Sequence, residues 1–333
     1  MQQGFELGVA IAGCGSAVPQ VRLSNQDLSQ IVDTSDDWIG SRTGIRHRHI
    51  AQGQEALVAL ATDAAQQALA YASLSPQEVD LIILATSTPD DLFGSAAKVQ
   101  AHLAAHQAIA FDLTAACSGF LFGMVTAAQF IRTGTYPTVL LIGADVLSRW
   151  TDWSDRRTCV LFGDGAGAVV MRASECDRLL GFELRSDGSM NGCLNLSYGG
   201  EPRELLPGTS VSQGAFQPVT MNGQEVYRFA VKQVPEVIEK ALYRAGLAVE
   251  QIDWLLLHQA NQRILDAVAN RLNIPSHKVI SNMAAYGNTS AASIPLALDE
   301  YVRQGKIQPG DTIAAAGFGA GLSWGAAIFQ WGI

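Results

Sequence analysis

Strand-length apolar runs that alternate with longer alanine-rich stretches predict an α/β fold, and a self-match along the chain predicts that this fold consists of two duplicated halves. The strand-like runs are Leu81–Thr86, Thr138–Gly143 and Leu255–Leu257, and the helical stretches are Glu55–Tyr71, Gly119–Arg132 and Val226–Arg244. That alternation is the pattern of helices laid on a sheet. The segment ALAYASLSPQEVDLIILAT from Ala68 returns in pattern as ALYRAGLAVEQIDWLLLHQ from Ala241, a shift of 173. CSG…FIRTG from Cys117 to Gly134 matches NTS…YVRQG from Asn288 to Gly305, and GDGAGAVVM from Gly163 matches GLSWGAAIF from Gly321. Three matches in one order divide the chain into halves at 1–180 and 181–333.

Bulk properties bound the function classes. With 333 residues, 48% of them hydrophobic, the chain can bury a large core. No run approaches the ~18 apolar residues of a membrane span, and the start MQQGFELGVAIAGCGSAVP lacks a basic signal region, which predicts a cytoplasmic protein with no membrane partner. Five cysteines, odd in number and without a C-x-x-C, argue against a disulfide framework or a zinc knuckle. A net charge of −9 with no dense Lys/Arg block argues against nucleic acid as a partner.

Duplication bears on chemistry because equivalent positions of two halves face each other across a pseudo-twofold axis. Cys117, in FDLTAACSGFLFG, sits where a strand-like run turns into a helix, and a helix start favours the thiolate. Its flanks alone leave open a small buried structural thiol, which is how Cys14, Cys159, Cys176 and Cys193 read. His258 follows WLLL, at the strand end where α/β sheets present reactive groups; a satisfied core histidine is the alternative. Asn288, in YGNTSAASIP, could cap a helix or work beside Cys117. The ending GFGAGLSWG can bring backbone N–H groups to a reacting carbonyl, or it is a tight turn.

Other motifs fall away. Gly321–Gly325 reads G-x-S-x-G, but only AAIFQWGI follows, too little to hold an acid and a histidine. Gly163–Gly167 has G-x-G-x-G spacing and runs into the strand-like AVVM, so no nucleotide loop is expected. The sequons at Asn195 and Asn288 matter only in a secreted protein. His102 and His106 are four apart, yet no further ligand cluster accompanies them, and no metal is expected.

Taken together, DTSDDWIGSRTGIRHRHI, AACSGF, SDRRTCVLFGDGAGAVV, HQANQRI, YGNTSAASIP and GFGAGLSWG resemble the β-ketoacyl-acyl-carrier-protein synthase III family over nearly the whole chain. The resemblance implies a thiolase fold in five αβαβα layers, a homodimer, and condensation of acetyl-CoA with malonyl-acyl-carrier protein, with no cofactor beyond the CoA thioester itself. By motif position, Cys117 would be the nucleophile, His258 and Asn288 the donors for decarboxylation, and the N–H groups of Cys117 and Ala320 the oxyanion hole. Trp38, Arg42 and Arg156 would bind CoA, Arg228 and Arg263 would dock the carrier protein, and Phe93 would wall the acyl pocket. Ala320 departs from the family's usual glycine, which implies strain should its φ be positive. Rival readings are a relative using a longer or branched primer or making a secondary metabolite, a non-catalytic partner subunit, and a simple acyltransferase.

Overall fold

Apolar strands with no polar face must be covered on both sides, and the computed structural model, which describes residues 7–333, covers them with helices on each face. The first half contributes β1 (Gly8–Ala17), α1 (Asp36–Thr43), α2 (Ala56–Tyr71), β2 (Leu81–Ala85), β3 (Ile109–Leu113), α3 (Gly119–Arg132), β4 (Thr138–Asp145) and β5 (Gly165–Ser174). The second contributes β6 (Leu179–Ser186), β7 (Tyr198–Leu206), β8 (Thr209–Phe216), α4 (Gly223–Ala245), β9 (Trp254–Leu257), α5 (Gln262–Arg271), α6 (Ser293–Arg303), β10 (Thr312–Gly319) and β11 (Ser323–Gln330). The strand-like and helical runs of the sequence reappear with ends moved by a few residues.

Two sheets are built to one plan. The first runs β1-β5-β4-β2-β3 and the second β6-β11-β10-β9, with antiparallel pairs at the start and parallel pairs at the end of each. A parallel bridge from Leu255 to Val279 stands in the second sheet where β3 stands in the first. Helix α2 covers the outer face of the first sheet and α4 that of the second, while α3 and α6 fill the space between the sheets. Three apolar cores result: α2 with the first sheet, the central layer, and α4 with α5 and the second sheet. This is the expected five-layered αβαβα arrangement.

Residue-level contacts repeat across the halves. A Cβ on Gly13 would meet the Ala68 carbonyl at 2.6 Å, and one on Gly181 would meet the Ala241 carbonyl at 2.5 Å. Each outer helix therefore closes on its sheet through a glycine opposite an alanine backbone. Register fixes the shift: β4 starts at Thr138 opposite Arg172, and β10 starts at Thr312 opposite Gln330, so the shift is 174 for one strand and 158 for its neighbour. The Gly163/Gly321 match has that same shift of 158. The match of Cys117 with Asn288 is off by three residues. Helices α3 and α6 start at Gly119 and Ser293, and the turns before them hold Ala116 and Ser290 at φ +48° and +52°. Asn288 thus corresponds to Thr114, and Cys117 to Ala291; small residues on both sides of each turn let the letters match in either register.

One element has no counterpart. The hairpin β7–β8 stands in solvent along its length, with Phe216 at its root set edge-on to Trp150 at 6.1 Å. Among the described residues no helix is long and apolar enough to cross a membrane.

Candidate active site

Strand β3 and helix α3 deliver Cys117 at a 3-10 turn, Ala116–Ser118, that leads straight into the helix. The left-handed backbone of Ala116 makes this a sharp elbow, with the thiol at its tip on the floor of a cavity of about 1800 Å3. The helix start does not by itself hold the sulfur ionised. Burial pushes the thiol up to about 12, the nearby Asp145 charge adds to that, and a 3.2 Å hydrogen bond donated by the Ser290 hydroxyl acts against it.

Facing it from the second half are His258 and Asn288, both lining the same cavity. The His258 backbone continues the sheet by donating to the Ala316 carbonyl at 2.8 Å, and its ring lies edge-on to Phe318 at 5.6 Å. Its Nδ1 is 2.7 Å from the Ser293 Oγ, which also accepts the Gln259 N–H at 3.3 Å. Among the described residues Nδ1 is the one acceptor bonded to that hydroxyl's proton, so the network assigns the proton of the neutral ring to Nε2, the nitrogen left for the cavity. Burial alone lowers the ring to about 3, so it stays neutral at physiological pH.

Asn288 is gripped on both sides of its backbone by the segment before β5, its N–H bonding the Leu161 carbonyl at 2.9 Å and its carbonyl accepting from Gly163 at 3.0 Å. Its Oδ1 accepts the Ser290 N–H at 2.9 Å. The amide is thereby oriented, with its NH2 group as the donor left to the cavity. The same bond satisfies the first N–H of the 3-10 turn Ser290–Ala292 that leads into α6, so Asn288 caps this turn and lines the cavity at once, and the segment GDGAG serves as a strand start and as a clamp on Asn288.

At the end of β10, a Cβ on Gly319 would sit 2.6 Å from the Cys117 nitrogen, so only glycine lets this strand lie against the Cys117 backbone. Ala320 follows and lines the cavity. The strain expected there is absent: the positive φ, +131°, belongs to Gly321. The mouth carries Trp38, whose ring lies under the guanidinium carbons of Arg42 at 4.5 Å and Arg156 at 5.3 Å. Arg263 is exposed at this mouth and donates to the Ser41 carbonyl at 3.0 Å. Arg228 stands outside the cavity, paired with Glu225 at 2.9 Å. Phe93 borders the cavity but is fully exposed, so within one chain it is an open rim and closes no wall.

Comparison with known proteins follows the same outline. Profiles described as 3-oxoacyl-[acyl-carrier-protein] synthase III and its C-terminal region match residues 111–188 and 242–331. Proteins named β-ketoacyl-[acyl-carrier-protein] synthase III from Nostoc sp. and Synechococcus elongatus are each 69% identical, over 98% of this chain and 99% and 98% of their own. The chain belongs to the β-ketoacyl-[acyl-carrier-protein] synthase III family. Solved 3-oxoacyl-[acyl-carrier-protein] synthase III structures from Aquifex aeolicus and Thermus thermophilus superpose with TM-scores of 0.89 and 0.90 at 45% and 40% identity, each over 97% of this chain and 100% and 99% of theirs. The fold is the thiolase fold.

Family membership gives HQAN a residue-by-residue account. His258 faces the cavity. Gln259, buried, donates to the Leu257 and Ile280 carbonyls and accepts from Asn282, tying two loops together, and Asn261 caps α5 by accepting from Arg263 N–H. Ser293, Ser290 and Asp145 were not singled out from the sequence. No local pattern marks them; each gains its place only through contacts between residues 35 to 173 positions apart.

Proposed function

We propose that this synthase III initiates fatty acid synthesis by condensing acetyl-CoA with malonyl-acyl-carrier protein to give acetoacetyl-acyl-carrier protein, CO2 and CoA. The observation that carries this reading is one cavity lined at its floor by Cys117, His258 and Asn288 and at its mouth by Trp38, Arg42 and Arg156. The halves 1–180 and 181–333 would each supply part of that set.

Cys117 attacks the acetyl thioester, the sulfur–carbon bond forms, and CoA leaves as the thiol. Malonyl-acyl-carrier protein then enters. His258 Nε2–H and the Asn288 amide donate to its thioester oxygen, so that departure of CO2 leaves an enolate held by two hydrogen bonds. The enolate carbon attacks the acetyl group on Cys117, and the Cys117 and Ala320 N–H groups hold the oxyanion, each worth about 3 kcal/mol when well placed. Collapse expels the Cys117 thiolate and releases the product. No cofactor beyond the CoA thioester enters these steps.

An adenine ring between Trp38 and Arg156 would need two stacking contacts, roughly 7 Å in all. The present 5.3 Å leaves no such gap, so Arg156 would swing out, releasing the Asp33 carbonyl that it holds at 2.8 Å. Arg263 and Arg228 would meet the acidic carrier protein. A homodimer accounts for two exposed features of the first half: Ile109 on the unpaired edge strand β3, and the Leu92–Phe93 tip. A partner covering that edge would also close the rim at Phe93. The enzyme would work in the cytoplasm.

Intact-protein mass after mixing with acetyl-, butyryl-, isobutyryl- and octanoyl-CoA, then with malonyl-acyl-carrier protein, tests the assignment. Acetylation at Cys117 that malonyl-carrier protein discharges to a β-ketoacyl product is expected. Labelling by the longer acyl groups alone would replace the primer, and no label on Cys117 would overturn the mechanism.

A further inference from the structure

The proposed oxyanion hole takes one N–H from each half, Cys117 from the elbow and Ala320 from the turn between β10 and β11, and two donors hold one oxyanion only if the gap between them is fixed to within about 0.5 Å. The outer side of the turn is anchored to its own half: the Leu322 N–H donates to the Asp187 carbonyl at 3.0 Å, and the Leu322 carbonyl accepts the Asp187 N–H at 2.8 Å. On the inner side, Gly319 lies close against the Cys117 nitrogen, a contact that limits approach but does not hold the two together. Ser118 supplies the hold. It is fully buried, and its hydroxyl shares one proton between the Ala115 carbonyl at 2.7 Å and the Ser323 carbonyl at 3.1 Å. Ser323 pairs with Gly319 across the base of the turn, so Cys117 and Ser118, consecutive in the elbow, meet the two residues from which the turn carrying Ala320 springs. Among the described residues this is the one hydrogen bond between elbow and turn.

We propose that Ser118 is a positioning residue, its hydroxyl fixing the gap between the Cys117 and Ala320 N–H groups. The bond to Ala115, three residues back, is a local habit of serine and needs no further role. The bond to Ser323 spans 205 residues and joins the two halves. The repeat supplies a control: the residue of the second half that corresponds to Ser118 is Ala292, buried in the turn that leads into α6, so this elbow forms without a hydroxyl. The hydroxyl stands in the half that would offer its backbone N–H to the reacting carbonyl, and is absent from the half whose corresponding N–H, that of Ala291, holds Asp145. No bond or proton changes hands at Ser118, which acts through the backbone that it holds.

Ser118 can have this role only if the proposed Cys117–Ala320 hole operates, and two reactions of one sulfur keep the questions apart. Attack on a thioester builds an oxyanion, whereas alkylation of Cys117 by iodoacetamide does not. In Ser118→Ala, acetyl-enzyme formation, followed by rapid quench and intact mass, should fall about tenfold at saturating acetyl-CoA, a fraction of the roughly 100- to 1,000-fold lost when an oxyanion donor is removed outright. KM for acetyl-CoA and the alkylation rate should stay within about twofold of wild type. Once the variant is fully acetylated, CO2 release from malonyl-carrier protein, which draws on His258 and Asn288, should also stay within about twofold. Loading at the wild-type rate would overturn the role. So would alkylation altered as much as loading, since Ser118 would then support the thiol or the fold, and so would an equal loss of CO2 release. A wild-type enzyme that is alkylated at Cys117 but never acetylated would remove the hole itself, and with it the task given to Ser118.

Discussion

Ser293→Ala is the substitution that separates the two halves of the catalytic cycle. The hydroxyl it removes makes two buried contacts, 2.7 Å to His258 Nδ1 and 3.3 Å to the Gln259 N–H. Without it the neutral ring no longer has a donor fixing its proton on Nε2, and the other tautomer turns an acceptor toward the malonyl thioester. If the lost bond is worth about 1.4 kcal/mol, within the range for a buried group left unpaired, the productive tautomer falls about tenfold. Acyl loading uses Cys117 and the backbone N–H groups and should stay within about twofold of wild type. Rapid-quench measurement of acetyl-enzyme formation, beside CO2 release from malonyl-carrier protein, reads the two steps separately. Equal losses in both would mean that Ser293 only supports the fold around the site. Unchanged CO2 release would mean that the tautomer is set by something other than this hydroxyl.

The remaining predictions concern the mouth and the buried imidazole. Arg156→Ala should raise KM for acetyl-CoA by about tenfold through loss of a stacking partner while leaving the acetylation rate at saturation unchanged; an acetyl donor that lacks the nucleotide should not distinguish variant from wild type, and equal losses with both donors would remove Arg156 from adenine binding. His258 has a folded pKa of about 3, below the ~6.5 of an unfolded chain, so beneath pH 6.5 the unfolded state takes up a proton that the folded state refuses. Wild-type stability should therefore drop by up to about 1.4 kcal/mol per pH unit from this group as pH falls from 6.5, and be independent of it above. Denaturant titrations of His258→Gln should show a shallower acid slope; parallel slopes would place the acid sensitivity elsewhere.

The repeat was legible in the sequence wherever it is enforced by close packing. Gly13 lies against the Ala68 carbonyl and the Ala72 Cβ, and Gly181 against the Ala241 carbonyl and the Ala245 Cβ, so both halves keep a glycine on the strand and small residues on the helix. The register at the nucleophile was not legible, because Ala116 and Ser290 share a backbone conformation without sharing a side chain. Cys117, His258 and Asn288 were legible as candidates because each stands at the boundary of a visible element. Asp145 was not: it ends an apolar strand as strand-terminal aspartates commonly do, and its tie to the second half is made through a backbone N–H of Ala291, 146 residues away. The hairpin β7–β8 escaped for the opposite reason, having no buried face to impose a pattern.

The two elbows show how one local structure was put to two uses. Each half turns from its sheet into a central helix through a residue with positive φ, and each turn aims small side chains at the other half. In the first half the residue after the turn is Cys117, which lines the cavity; in the second it is Ala291, whose N–H instead holds Asp145 at 3.1 Å. Two residues before the turn the roles differ again: the first half has Thr114, and the second has Asn288, whose amide is oriented by the Ser290 N–H. A symmetric pair of thiols would place two like charges in one dry cavity on ionisation, and a symmetric pair of amides would leave no nucleophile. In the proposed mechanism, asymmetry at these four positions gives one thiol and one neutral amide to receive the enolate, while the Ala291 N–H is left to hold Asp145. A Thr114→Asn change should therefore leave the fold intact without adding a working second amide, because the Ser290 N–H that orients Asn288 has its counterpart at Ala116, in a turn already committed to the thiol.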